Sequence, residues 1–291
     1  GDDWVFAGYL DNAYGGAGFD TLVLRLDYAP GAITGNFSGI WTGATYTIAG
    51  ATISGFEAFH WITGTAFDDI MTSGTPAGRS SQLSGLAGND ILTGGAGSDY
   101  LTAHGGDLND IYYDEVYGWG GDDTLAIGIG DYADGGSGTD RLVLDVGLSG
   151  SGLILNFATL LSSGSDILAG ATILSVEDIA HVHGSAFNDV LDASTDNFDT
   201  RLEGRGGDDV LATGSGANTL HGRTGAFRQV GRDLAGQPRR DRRDVAAQTG
   251  CRRPERGQDD GFVQRGQHVA RAGKEAGDGR VAVRDAGRRR W

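Results

Sequence analysis

Residues 85–102 read GLAGNDILTGGAGSDYLT, two nine-residue phrases laid end to end. Both follow the pattern Gly-Gly-x-Gly-x-Asp-x-apolar-x, the first with one mismatch. The phrase returns as GGAGFDTLV at Gly15–Val23 and GGSGTDRLV at Gly135–Val143. Looser copies stand at Gly105–Tyr113 (GGDLNDIYY), Gly118–Ala126 (GWGGDDTLA) and Gly204–Ala212 (GRGGDDVLA). Each copy joins glycines that let the backbone turn, one carboxylate, and one apolar residue two places later. Glycine takes positive φ at little steric cost, so several carbonyl oxygens can turn inward together. The closing three residues form a very short strand whose middle member faces inward, by the two-residue period of a half-buried strand. Those inward residues are Leu22, Leu92, Leu101, Ile111, Leu125, Leu142 and Leu211.

Carbonyls plus one Asp per phrase make a concave wall of oxygen atoms. Ca²⁺ is a hard cation that takes six to eight oxygens at about 2.3–2.6 Å, so this donor set suits it. The candidate ligands are Asp20, Asp69, Asp90, Asp99, Asp110, Asp123, Asp140, Asp189 and Asp209. The turn glycines expected beside them are Gly85, Gly94, Gly95, Gly97, Gly105, Gly106, Gly118, Gly135, Gly136, Gly138 and Gly204. Ligands on one side should be two phrases apart, which places Asp90 near Asp110 and Asp99 near Asp123. Asp68 and Asp122, each just before a candidate ligand, read as solvated neighbours.

The phrase resembles the RTX (haemolysin-type calcium-binding) repeat, the nonapeptide of the parallel β-roll in serralysin-like secreted proteases, toxins and lipases. That resemblance implies an all-β, right-handed parallel β-roll or β-solenoid in which two nonapeptides complete one coil. It also implies several Ca²⁺ ions between same-side turns of neighbouring coils. Regions of this kind stay unfolded in the low-Ca²⁺ cytoplasm, leave through a type I secretion channel and fold outside the cell. An extracellular location, with calcium and the secretion machinery as partners, follows from the resemblance alone.

Charge divides the chain near Gly222. Residues 1–222 hold 30 acidic residues against five Arg, a net of −25, whereas 223–291 carry a net of +9. A charge of −25 repels itself in a compact metal-free state, so folding and cation binding should be coupled. The single cysteine, Cys251, excludes a disulfide framework within one chain. No run of about 18 apolar residues is present, so no membrane-spanning helix is expected, and no secretory leader is visible. The opening GDDWVF reads as the last six places of a nonapeptide, which suggests a piece of a larger secreted bacterial protein.

A longer period of 120 residues underlies the nonapeptide. Asn36-Phe37 aligns with Asn156-Phe157, Gly50–Ile53 with Gly170–Ile173, Glu57 with Glu177, and Gly64–Asp69 with Gly184–Asp189. Two tandem units, 1–120 and 121–222, are therefore expected within one solenoid. Residues 21–63 and 141–183 lack the phrase but alternate apolar and polar residues, as in Leu22, Leu24, Leu26 and Leu142, Leu144, Val146. They read as wider, metal-free coils with strands throughout, for a total of about 12 coils at roughly 18 residues each. In the tail, Phe227 stands where the next ligand Asp is due, and residues 223–291 contain one Leu and no Ile. That tail is expected outside the solenoid, disordered or translated out of frame; a basic arm for anionic polymers is the weaker reading because no aromatics are interleaved.

No HExxH helix, GxSxG elbow, Walker loop or cysteine nucleophile is present. His181-Val182-His183 could present two imidazoles on one strand face, but with no third ligand in view they read as surface histidines. Trp41, Trp61 and Trp119 read as coil packing or isolated exposed rings before a sugar platform. The expectation is a non-enzymatic, calcium-binding roll with no nucleic-acid partner. The rival readings are a repeat region attached to a secreted polysaccharide-modifying enzyme or protease, and an adhesin or surface-layer repeat.

Overall fold

The computed structural model describes residues 1–104 and 111–231. These lie in one compact unit, Gly1–Val245, and a second unit, Ala246–Trp291, falls outside the described residues. Ten short strands, beginning at Trp4, Thr21, Ala58, Ser80, Ser98, Thr124, Arg141, Asp178, Arg201 and Thr219, form one sheet in chain order. All neighbours in it are parallel. Between consecutive members the chain lays down a strand in another sheet, of three, seven or four strands. Parallel neighbours need such a crossover, and here the crossover is itself a strand. The described chain is an all-β parallel β-roll.

The apolar residue of each phrase builds the core. Leu22, Leu92, Leu101, Leu125, Leu142 and Leu211 are fully buried in one continuous cluster, each contributing roughly 1.5–3 kcal/mol over its exposed state. Ile111, expected among them, is instead 81% exposed. Val116 takes its place: it is fully buried and pairs with Leu92. The inward place after residue 104 therefore falls to Val116, two residues after Asp114, and not to Ile111.

The shortest coils repeat every 17 or 18 residues, as in the hydrogen bonds Asp3–Asp20 and Ser81–Asp99, and others take 20 to 24, as in Asp189–Asp209 and Asp99–Asp123. The stretches 21–63 and 141–183 form coils of 37 residues, the separation of the bonded pairs Asp20–Glu57 and Asp140–Glu177. With two wide coils the main sheet has ten strands, fewer than the about 12 coils that a uniform 18-residue step gives. Each wide coil fills two places. Its first short strand, Thr34–Asn36 or Ile154–Asn156, pairs forward with Ile70–Thr72 or Val190–Ala193. Its later strand, Ala51–Ser54 or Ala171–Leu174, pairs backward with Ala13–Tyr14 or Tyr132–Asp134.

The residues shared by the two units explain this geometry. Asn36 and Asn156 Oδ1 accept the N–H groups of Ser38 and Ala158, starting a 3-10 turn (Phe37–Thr42) and a short α-helix (Ala158–Ser163). These turns were not expected from an all-strand reading; the Asn side-chain bonds to the backbone two residues on and the buried Phe37 and Phe157 favour them locally. Ala49-Gly50 and Ala169-Gly170 then take positive φ at both central positions of a two-residue hairpin, the twist that suits antiparallel strands.

The expected boundary at Gly222 falls inside the strand Thr219–Thr224, and a further strand, Phe227–Gly231, pairs with Asp209–Thr213. Pairing continues because a parallel ladder needs backbone groups, not a ligand Asp. The remainder of 223–291 lies outside the described residues.

Candidate metal centre

Among the described residues, the sixth residue of the phrase lies at the mouth of a strand, and its carboxylate reaches back one coil. Asp20 Oδ1 accepts the Asp3 N–H at 2.8 Å, Asp123 Oδ1 that of Asp99 at 2.7 Å, and Asp140 Oδ1 that of Asp123 at 2.8 Å. A second ladder on the other turns joins Asp69 to Asp90 (2.8 Å), Asp90 to Asp114 (2.7 Å) and Asp114 to Asp131 (3.1 Å). Asp189 donates to Asp209 Oδ1 at 3.0 Å in the same way. At the wide coils the acceptor is a glutamate: Glu57 and Glu177 Oε2 take the N–H groups of Asp20 and Asp140, both at 3.0 Å. The longer side chain spans the wider step.

Residue five runs a ladder of opposite sense. Asp2, Asp68, Asp122, Asp199 and Asp208 Oδ1 accept the N–H groups of Phe19, Asn89, Thr139, Ala217 and Ala226 in the following coil. These exposed side chains, of which Asp68 and Asp122 were read from the sequence as solvated neighbours, stitch the turns together.

The second oxygens separate the candidates. Asp20, Asp123 and Asp140 Oδ2 are buried and take no hydrogen bond. Asp69 and Asp189 are satisfied inside their own turns: Thr65 and Ser185 donate through both backbone N–H and hydroxyl. Asp99 receives the Ser81 hydroxyl at 2.6 Å and the Gly95 N–H at 2.8 Å.

The first glycine of the phrase leaves room beside this oxygen. A Cβ on Gly94 would stand 2.6 Å from Gly118 O and 2.7 Å from Asp99 Oδ2. One on Gly135 would stand 2.6 Å from Asp140 Oδ2, and one on Gly64 2.8 Å from Gly85 O. Each is a cradle between a carboxylate and a carbonyl of the next coil. An orphaned buried carboxylate oxygen, a carbonyl and a space kept open by glycine fit a hard cation.

Crowding of carboxylates shows in their acidity. Burial, with the Asp99, Asp140 and Asp122 charges nearby, pushes Asp123 up to about 7. Burial also raises Asp140 and Asp209 to about 6, with Glu177 and Asp189 respectively among the charges adding to it, and it raises Asp69 and Asp99. Asp123, Asp140 and Asp209 meet the like charge of neighbouring carboxylates.

The sequence reading placed Asp99 beside Asp123, as observed. It placed Asp90 beside Asp110; the structure joins Asp90 to Asp114, while Gly105, Gly106 and Asp110 lie outside the described residues. Asp114, Asp131, Glu57 and Glu177 were missed as ladder members. Their signal was the apolar or small residue two places on, Val116 and Ala133 for the two aspartates, both fully buried.

His181 and His183 stand on the outer face of the main sheet with a neighbour the sequence did not reveal, the buried Glu203 of the next strand. Burial lowers both imidazoles, His181 to about 4. Trp41 packs on Phe59 at 4.9 Å and donates to Ser73 O, so it belongs to the coil wall; Trp61 and Trp119 are exposed and apart.

Among known protein families, the chain matches the RTX calcium-binding nonapeptide repeat, in four copies, over residues 79–107, 110–132 and 194–226. No curated protein matches it. The matched segments contain Asp90, Asp99, Asp114, Asp123 and Asp209, members of the ladders described above.

Proposed function

We propose that this RTX-type calcium-binding repeat protein holds Ca²⁺ between neighbouring coils on its sixth-position carboxylates, and that its roll forms only when they are neutralised. The observation that carries this reading is the set of buried, unbonded oxygens Asp20 Oδ2, Asp123 Oδ2 and Asp140 Oδ2. The carbonyls of Gly118 and Gly135 stand beside the glycine cradles and would complete the oxygen wall. Bound Ca²⁺ supplies the positive charge that these carboxylates lack. The protein's own part is to fix the oxygens: Oδ1 is tied to the preceding coil, which orients Oδ2 toward the cradle. Asp69 and Asp189, already satisfied by Thr65 and Ser185, orient the turn that re-enters each regular segment.

The repeat family is generally a non-catalytic region, and we read this chain in the same way, as a calcium-dependent structural segment. Secretion followed by folding outside the cell agrees with the net charge of −25 over residues 1–222 and with the single cysteine. A larger secreted chain bearing this roll, with its own activity elsewhere, is the fuller form of the proposal.

Far-UV circular dichroism of the full chain in chelator, then with Ca²⁺ raised through about 10⁻⁴–10⁻³ M, the range of extracellular modules, tests the coupling. Strand signal gained with calcium supports the proposal. Equal strand content in chelator and in calcium overturns it.

A further inference from the structure

Four adjacent strands of the main sheet carry a row of alternating carboxylates and imidazoles. Register places Asp145 opposite His183, His183 opposite Glu203, and Glu203 opposite His221. His181 shares the outer face of its strand with His183, since Val182 between them points into the core and is fully buried. His181 Nε2 lies 3.6 Å from Glu203 Oε1, and His183 Nδ1 lies 3.9 Å from Glu203 Oε2. The three ligand atoms that His181, His183 and Glu203 can offer all lie within 4.8 Å of one another. His181 Nε2 is buried and takes no hydrogen bond, and Glu203 is 1% exposed.

This donor set differs in kind from the oxygen ladders at the turns. Two imidazole nitrogens and one carboxylate suit a borderline divalent transition ion; a hard cation prefers oxygen alone. Bonds of about 2.0–2.1 Å in a tetrahedral site put ligand atoms roughly 3.3–3.4 Å apart. The observed separations of 3.6 and 3.9 Å need only small side-chain rotations to reach that. We propose that His181, His183 and Glu203 form a site for one divalent transition-metal ion of the Zn²⁺ type, with His221 or water in the fourth position. His221 Nδ1 is 3.9 Å from Glu203 Oε1.

Three arginines oppose the ion and define the test. Arg201 and Arg223 pair with Glu203, and Arg205 donates to His183 Nδ1 at 3.2 Å. Arg223 has a mostly exposed side chain and can withdraw into solvent. Arg205 also bonds both oxygens of Asp145, at 3.1 and 3.4 Å, and keeps that anchor when it leaves His183. In the first unit the corresponding cross-strand pairs are Trp61–Gln82 and Thr63–Ser84, which offer no such ligands. Among the described residues the site therefore belongs to the second unit alone.

Isothermal titration of ZnCl₂ into the untagged full chain, held in saturating Ca²⁺, should show one site that disappears or weakens roughly tenfold or more in His181→Ala and in Glu203→Gln. Co²⁺ absorption should report nitrogen coordination in the parent and not in His181→Ala. Circular dichroism in Ca²⁺ establishes that each variant is folded. Arg223→Ala removes no proposed ligand and frees Glu203 Oε2, so it should tighten Zn²⁺ binding by removing a competing cation. An unchanged isotherm in His181→Ala, no Zn²⁺ uptake by the parent chain, or Zn²⁺ binding in Arg223→Ala no tighter than in the parent would each overturn the site. Should His181→Ala fail to fold, the Arg223→Ala comparison alone decides the question.

Discussion

The backbone N–H of Asp99 donates to Oδ1 of Asp123 at 2.7 Å, while Oδ2 of the same carboxylate is buried with no donor at all. One oxygen fixes the side chain to the preceding coil and the other is left facing a glycine-lined space. Burying an unsatisfied charged oxygen is costly, so an arrangement repeated at Asp20 and Asp140 calls for a cation.

Glycine at the first place of the phrase is a steric requirement of that space. Gly94→Ala would set a methyl group 2.6 Å from Gly118 O and 2.7 Å from Asp99 Oδ2, inside van der Waals contact. Overpacking of this kind costs about 1–3 kcal/mol. The Ca²⁺ midpoint of folding should move to higher concentration, followed by circular dichroism. A midpoint equal to that of the parent chain would mean that the cradle has slack the structure does not show.

The metal-free chain should behave unusually with pH. Asp123, at about 7, and Asp140 and Asp209, at about 6, hold protons in the folded state that an unfolded carboxylate near 4 has released. Between about pH 4 and 7 the folded chain thus binds more protons, and stability falls as pH rises through that window. In chelator, strand content and Tm should be highest near pH 4–5 and decline toward pH 7. A Tm that climbs over the same interval contradicts the sign.

The inward ladder predicts a conventional core effect. Leu125 is fully buried and stacked in register between Leu101 and Leu142. Leu125→Ala should cost about 2–5 kcal/mol in denaturant unfolding of the calcium-bound chain. A loss under about 0.5 kcal/mol, the scale of surface substitutions, would show that the stack carries little of the stability.

Where a local phrase dictates geometry, the chain could be read directly. The Gly-rich turn, the sixth-place Asp and the apolar residue at place eight gave the β-roll, the buried leucines and the Asp99–Asp123 neighbours. Ile111 was misread as an inward residue: it does not stand two places after an Asp, whereas the buried Val116 stands two places after Asp114. Glu57 and Glu177 escaped because a wide coil of 37 residues carries no local mark of which carboxylate will close it. His181 and His183 found their neighbour Glu203 only through the pairing of strands about 20 residues apart in sequence, a distance set by the coil and not by any short motif.

The central claim, that the unbonded sixth-place oxygen is a Ca²⁺ ligand, is tested most directly by comparing two adjacent carboxylates. Asp123→Asn keeps the acceptor for Asp99 but replaces the orphaned Oδ2 with an amide, whereas Asp122→Asn keeps the acceptor for Thr139 on an exposed turn. Calorimetric titration of Ca²⁺ into the full chain should lose at least one equivalent in Asp123→Asn and none in Asp122→Asn. Equal stoichiometry and affinity in both variants and the parent would contradict the account.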